Sequence, residues 1–143
     1  MGLLVIVGDS RADEFFGEYP TIKAERSAKI DCETAAVIAG KGAGLKVSSA
    51  LGVIADGESF RQKLPRGIQL ITCGVSPKNT VSITSRTAEK LTLSLNRSIR
   101  TRSGKICEPL EQPVDVREDM DEYDVMAVFA AKMLLEIGED SGN

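Results

Sequence analysis

Leu3-Leu4-Val5-Ile6-Val7 is an unbroken apolar run that closes on Gly8-Asp9. A strand covered on both faces reads this way, so the run predicts a buried strand of a parallel sheet. Short apolar runs recur at residues 35–39, 51–55 and 68–73, each followed by glycine or by Asp-Gly. Ser10 is placed to cap a short helix through Phe16, with Gly17 and Pro20 to end it. A second short helix is expected over 58–64, stopped by Pro65. Residues 21–34 are polar and assign no element.

After Gly74 the period changes. Val81 and Ile83 alternate with Ser82 and Thr84, and Leu91, Leu93 and Leu95 alternate with Thr92, Ser94 and Asn96. A period of two marks strands with one wet face, typical of antiparallel pairs. Ser103-Gly104 suits a turn into Lys105-Ile106-Cys107, and Pro109 and Pro113 put the next segment at a sheet edge or in a loop. Val114 and Val116 suggest a last short strand. Asp119 or Asp121 then caps the strongest helix, which runs to about Ile137 with Met126, Phe129 or Ala130, and Met133 on one stripe. Gly138 is the expected stop, with residues 139–143 frayed. The expected fold is one α/β domain over residues 1–143: a mostly parallel sheet flanked by helices, an antiparallel extension and a long C-terminal helix.

Composition narrows the chemistry. Hydrophobic residues make up 42% and charged residues 27%, which excludes a disordered chain. There is no histidine, so the commonest general base and metal ligand are absent. Cys32, Cys73 and Cys107 are far apart and form no C-x-x-C pair, so no metal or redox motif is expected. No cofactor is implied. The net charge of −3 argues against a dedicated nucleic-acid binder. Residues 86–107 hold six basic groups and one acidic, however, and residues 108–143 hold two basic and eleven acidic. The two segments are expected to pack together and compensate. The alternatives are a basic face for a phosphate-bearing or acidic partner and self-association of copies through the same charges. No apolar stretch approaches the roughly 20 residues of a membrane span, and the first eight residues lack the basic start of a signal peptide. The expectation is a cytoplasmic protein that does not engage a membrane.

The candidate ligand-binding residues are Asp9, Lys41, Gly42, Gly44, Lys46, Asp56, Lys78 and Asn79. Asp9 and Asp56 each follow an apolar strand, and open α/β sheets bind ligands at the carboxyl ends of their strands. Gly40-Lys41-Gly42-Ala43-Gly44-Leu45-Lys46 offers backbone N–H groups and two lysines to a phosphate-bearing ligand. It is not a Walker A loop, because Leu45 and Val47 stand where glycine and Ser or Thr are needed. A flexible turn is the competing reading. Lys78 and Asn79 lie in a loop after a strand at the same edge.

From about residue 35 to 138 the order of features resembles the later part of the central domain of Mur ligases. Those enzymes form amide bonds at the expense of ATP. Val53-Ile54-Ala55-Asp56-Gly57 is similar to the family's N-A-D-D-P turn, and Ile71-Thr72-Cys73-Gly74 to its T-[FY]-G strand. Residues 79–84 and 91–95 fit its antiparallel pair, and residues 124–131 its last helix. The family's A-x-x-K helix would precede the aspartate turn, with Lys41 nearest its carbamylated lysine. Its G-K-[ST]-T loop and metal-binding histidine have no counterpart, and Glu122-Tyr123 or a neighbouring position replaces its adenine-contacting His-Asn pair. The resemblance implies a non-catalytic ligand-binding or assembly module on that scaffold. The alternative is a small nucleotide- or phosphate-binding enzyme using Asp9, Lys41, Lys46 and Asp56.

Overall fold

A computed structural model describes residues 2–116 and 119–138. Strand β1 (Leu3–Val7) lies in an eight-stranded sheet with β2 (Thr21–Ala24), β4 (Ala35–Ala39), β6 (Gly52–Asp56), β7 (Gln69–Cys73), β8 (Val81–Arg86), β9 (Lys90–Leu95) and β12 (Leu110–Asp115). Their order is β12-β9-β8-β7-β6-β4-β1-β2. From β2 to β8 all neighbours are parallel, and β9 is antiparallel to both β8 and β12. The switch in sequence period at Gly74 therefore marks the switch in pairing. Strand β3 (Ser27–Asp31) pairs in parallel with β5 (Gly44–Ser49) in a separate small sheet. Strands β10 (Ile99–Arg100) and β11 (Ile106–Cys107) form a hairpin around Ser103-Gly104. Helix α1 spans Glu122–Leu135.

The sheet separates two apolar clusters, sorted by side-chain size. Leu4, Ile6, Ile38, Ile54 and Ile71 belong to the cluster that contains α1. Val5, Val7, Val37, Val53 and Ala55 cluster with Ile30, Leu45 and Val47 of the small β3–β5 sheet. Alternate residues of one strand face opposite sides. The unbroken apolar runs are thus two interleaved patterns, longer side chains toward the helix and shorter ones toward the strands. Each Ile or Leu buried this way contributes about 1.5–3 kcal/mol.

Several expectations need correction. Helices do not flank the sheet on both sides: α1 is the one α-helix among the described residues, and crossover strands β3 and β5 cover the other face. Polar residues 21–34 hold two strands because β2 is a sheet edge and β3 shows its outer face to water. Residues 58–64 form a turn and an extended arm rather than a helix. Phe60 and Leu64 pack inward there, while the Gln62 amide accepts from Leu45 N and donates to Leu45 O. The arm thus caps the free edge of β5, as a third strand would. The segment where the resemblance implies an A-x-x-K helix is β4, a turn and β5. Ser10–Phe16 is one 3-10 turn over Ala12–Phe15, with Ser10 Oγ accepting from Ala12 N. Helix α1 ends at Glu136, in the left-handed region at φ 58°, two residues before Gly138. The expected fraying of 139–143 lies outside the described residues.

Pro113 stands in edge strand β12, where a missing N–H is tolerated. The basic and acidic segments meet as expected. Arg86 forks onto Glu122 at 2.8 and 2.9 Å, Lys90 reaches Asp115 at 2.9 Å, and Arg102 reaches Glu136 at 3.7 Å. The Arg86 fork holds the Glu122 carboxyl below the usual carboxylate range. Among the described residues, no helix is long and apolar enough to cross a membrane.

The parallel and antiparallel halves share only the register pair Cys73–Val81. Side chains complete the junction. Thr72 and Thr80 exchange hydroxyl-to-backbone bonds, Thr80 N donating to Thr72 Oγ1 at 3.1 Å and Thr72 N to Thr80 Oγ1 at 3.4 Å. Asn96 Nδ2 donates to Asn79 O and to Ser82 Oγ, both at 2.9 Å, while its Oδ1 accepts from Ser94 Oγ at 2.7 Å. Asn96→Ala strands these partners and is expected to cost about 2 kcal/mol. Urea denaturation checks it; a loss below about 0.5 kcal/mol would show that the junction does not need the network.

Candidate functional site

The carboxyl ends of β1, β4 and β6 and the first turn of α1 enclose a crevice of about 560 Å³. That size suits a small-molecule ligand. Asp9, Ser10, Lys41, Gly42, Asp56, Ser59, Phe60, Tyr123 and Asp124 are among its lining residues. A second groove of about 380 Å³, between β12 and α1, is chiefly apolar, with Phe15, Val114, Val128, Phe129 and Met133 on its walls. Polar groups converge in the first cavity, which makes it the candidate site.

Backbone geometry builds one wall. Asp9 N donates to Lys41 O at 2.9 Å and Lys41 N to Asp9 O at 3.0 Å, so the turns after β1 and β4 are bridged. Gly8 sits at φ +85°, where a Cβ would come within 2.7 Å of Lys41 O. A Cβ on Gly40 would come within 2.5 Å of Asp9 O. Two of the glycines here therefore answer to backbone crowding. The turn reading of residues 40–44 describes this segment.

The floor consists of side chains engaged with one another. Ser10 Oγ donates to Asp124 Oδ1 at 2.6 Å, and Arg11 N donates to Asp124 Oδ2 at 3.2 Å. The Tyr123 hydroxyl lies 2.6 Å from Ala39 O and 3.2 Å from Ile54 O, spanning the ends of β4 and β6. Burial pushes this phenol well above its ordinary range, and Cys73, Asp124, Asp56 and Asp121 push it the same way. Burial, and then Asp56, also push the Cys73 thiol up. Asp121 caps α1 through Tyr123 N at 3.3 Å. Arg11 crosses the rim, bonding Glu14 at 2.8 Å and Asp119 O at 2.9 Å. Neither the Tyr123 phenol nor the Cys73 thiol is poised to lose a proton near neutral pH.

The structure thus brings together Asp9, Lys41, Gly42 and Asp56 of the predicted residues. Asp56 Oδ1 accepts from Glu58 N at 2.9 Å. The Asp9 carboxylate and the Lys41 ammonium take part in no ion pair among the described residues, which leaves both to a ligand. Gly44 and Lys46 lie elsewhere, on β5. Lys78 is exposed in the loop before β8, and Asn79 is buried, with Nδ2 donating to Ser76 O at 3.0 Å. Asn79 also packs where a Cβ on Gly57 or Gly74 would collide with it, so its role is in the β7–β8 junction. Sequence reasoning missed Ser10, Phe60, Tyr123 and Asp124 as crevice residues. The one available signal was a tyrosine beside an acid in the first turn of an otherwise aliphatic helix.

No family model, no curated protein and no solved structure matches this chain. The crevice itself carries the functional reading. Among the described residues no three of Cys, Asp and Glu are grouped to hold a metal ion.

The chain's two tyrosines give a spectroscopic test. Burial raises Tyr19 as well as Tyr123. A phenol whose folded pKa exceeds its unfolded value stabilises the fold fully below about pH 10 and loses that contribution as pH rises further. Phenolate absorbance is therefore expected to appear only above pH 10 and to coincide with loss of the circular-dichroism signal. In Tyr19→Phe, which leaves Tyr123 as the one phenol, ionisation at pH 10 or below in the intact fold would contradict the Tyr123 contacts.

Proposed function

We propose that this chain is a non-catalytic ligand-binding module related to the Mur ligase central domain, with the strand-end crevice as its binding surface. The observation that carries the reading is the division of labour in the crevice. Ser10, Tyr123 and Asp124 are engaged in holding α1, while Asp9 and Lys41 keep their charged groups unpaired at its wall. The hydroxyls of Ser10 and Tyr123 are tied to internal acceptors and the chain has no histidine, so Asp9 and Lys41 are the unpaired acid–base groups of the crevice. Binding needs only what remains: a carboxylate to accept from ligand hydroxyls, an ammonium for an anionic group and the Phe60 ring as an apolar wall. The order of β6, the turn at Asp56, β7, the β8–β9 hairpin and α1 is also the order that the Mur-ligase resemblance implies, without the helices it places before β6 and before β7. A phosphate-bearing small molecule with hydroxyl groups suits such a wall.

The alternative, an enzyme built on Asp9, Lys41, Lys46 and Asp56, keeps three of its four groups in the crevice. Lys46 is on the outer face of β5. Calorimetry and turnover assays with ATP, UDP and sugar phosphates separate the two. The proposal expects at least one probe to bind without being consumed and to stabilise the fold by about 1.4 kcal/mol at ten times its Kd. Lys41→Ala should weaken that binding about tenfold. Turnover abolished by Asp56→Asn would favour the enzyme, and no binding by any probe would end the proposal.

A further inference from the structure

We infer that the outer face of the small β3–β5 sheet is an anion site for a phosphate group, separate from the crevice. Register places Lys29 of β3 directly beside Lys46 of β5. Ala28 and Ile30 on one strand and Leu45 and Val47 on the other pack inward, so both lysines stand on the solvent side. Paired parallel strands run about 4.8 Å apart, and like charges at that spacing repel. No carboxylate among the described residues forms an ion pair with either lysine. Asp31, the acid on β3, lies beyond a register shift after Ile30 and accepts instead from Ser49 Oγ at 2.7 Å.

The surroundings give this pair the form of a site. Ser27, Lys29, Gly44, Lys46 and Gln62 line one shallow groove. Gly44 stands beside Ser27 and leaves the space between the strands open at that end. The Gln62 amide, engaged with the backbone of Leu45, fixes the opposite wall. Two adjacent ammonium groups and a serine hydroxyl match a tetrahedral oxyanion carrying close to two negative charges. Its binding would remove the repulsion that the sheet register imposes. Free phosphate and the phosphate of a monoester present this same chemistry.

Calorimetric titration of the full chain with inorganic phosphate and with glucose 6-phosphate, at fixed ionic strength, tests the assignment. Binding is expected for both; a tighter monoester would show that the groove also reads the organic group. Lys29→Gln and Lys46→Gln should each weaken binding at least tenfold. Gly44→Val should do the same by filling the groove, at a strand position that is not in the left-handed region. Lys41→Gln, in the crevice, should leave the binding of inorganic phosphate unchanged, which separates the site from the proposed function. Absence of phosphate binding, or binding unchanged in Lys46→Gln, would overturn the inference.

Discussion

The first turn of α1 is fastened to the ends of the parallel strands, and much of the molecule is arranged around that contact. Apolar packing alone is non-directional. Ala127, Ala130 and Ala131 let the helix approach the sheet closely, but such small, similar side chains do little to select one position along it. Tyr123 and Asp124 supply the missing direction. The phenol ties the helix to Ala39 and Ile54, and the carboxylate gathers the turn after β1 through Ser10 and Arg11. The crevice is the space left beside this clasp, so its shape and its chemistry have one origin.

A second constraint comes from the asymmetric sheet. One face carries a helix, the other carries strands, and the residues of β1, β4 and β6 are graded in size to match. Short Val and Ala side chains on the second face let the β3–β5 layer come near. That layer in turn leaves its own outer face in water, with Lys29 and Lys46 held side by side. Crossover strands therefore close the core and also set Lys29 beside Lys46 on its outer side.

The sequence made the parallel runs legible because both faces of those strands are buried, leaving no polar positions to blur them. The hairpin and α1 were legible for the opposite reason, since one wet face preserves their periods. Strands β2 and β3 were not, because an edge strand and a two-stranded outer layer need few apolar residues. The arm over 58–64 misled because Phe60 and Leu64, four apart, fit one face of a helix as well as one face of an extended segment. In the site, Asp9 and Asp56 followed from their positions at strand ends. Tyr123 and Asp124 did not, because their partners are a backbone carbonyl 84 residues away and a hydroxyl 114 residues away. Lys46 looked like part of the same cluster only because it is close in sequence; strand β5 carries it to the other layer.

The central claim is that Ser10 and Asp124 act as one unit that seats α1 on the strand ends. A double-mutant cycle of Ser10→Ala and Asp124→Asn, read by urea denaturation, tests it most directly. A buried hydrogen bond to a charged group should give a coupling of about 1–2 kcal/mol between the two substitutions. Strictly additive losses would contradict the account.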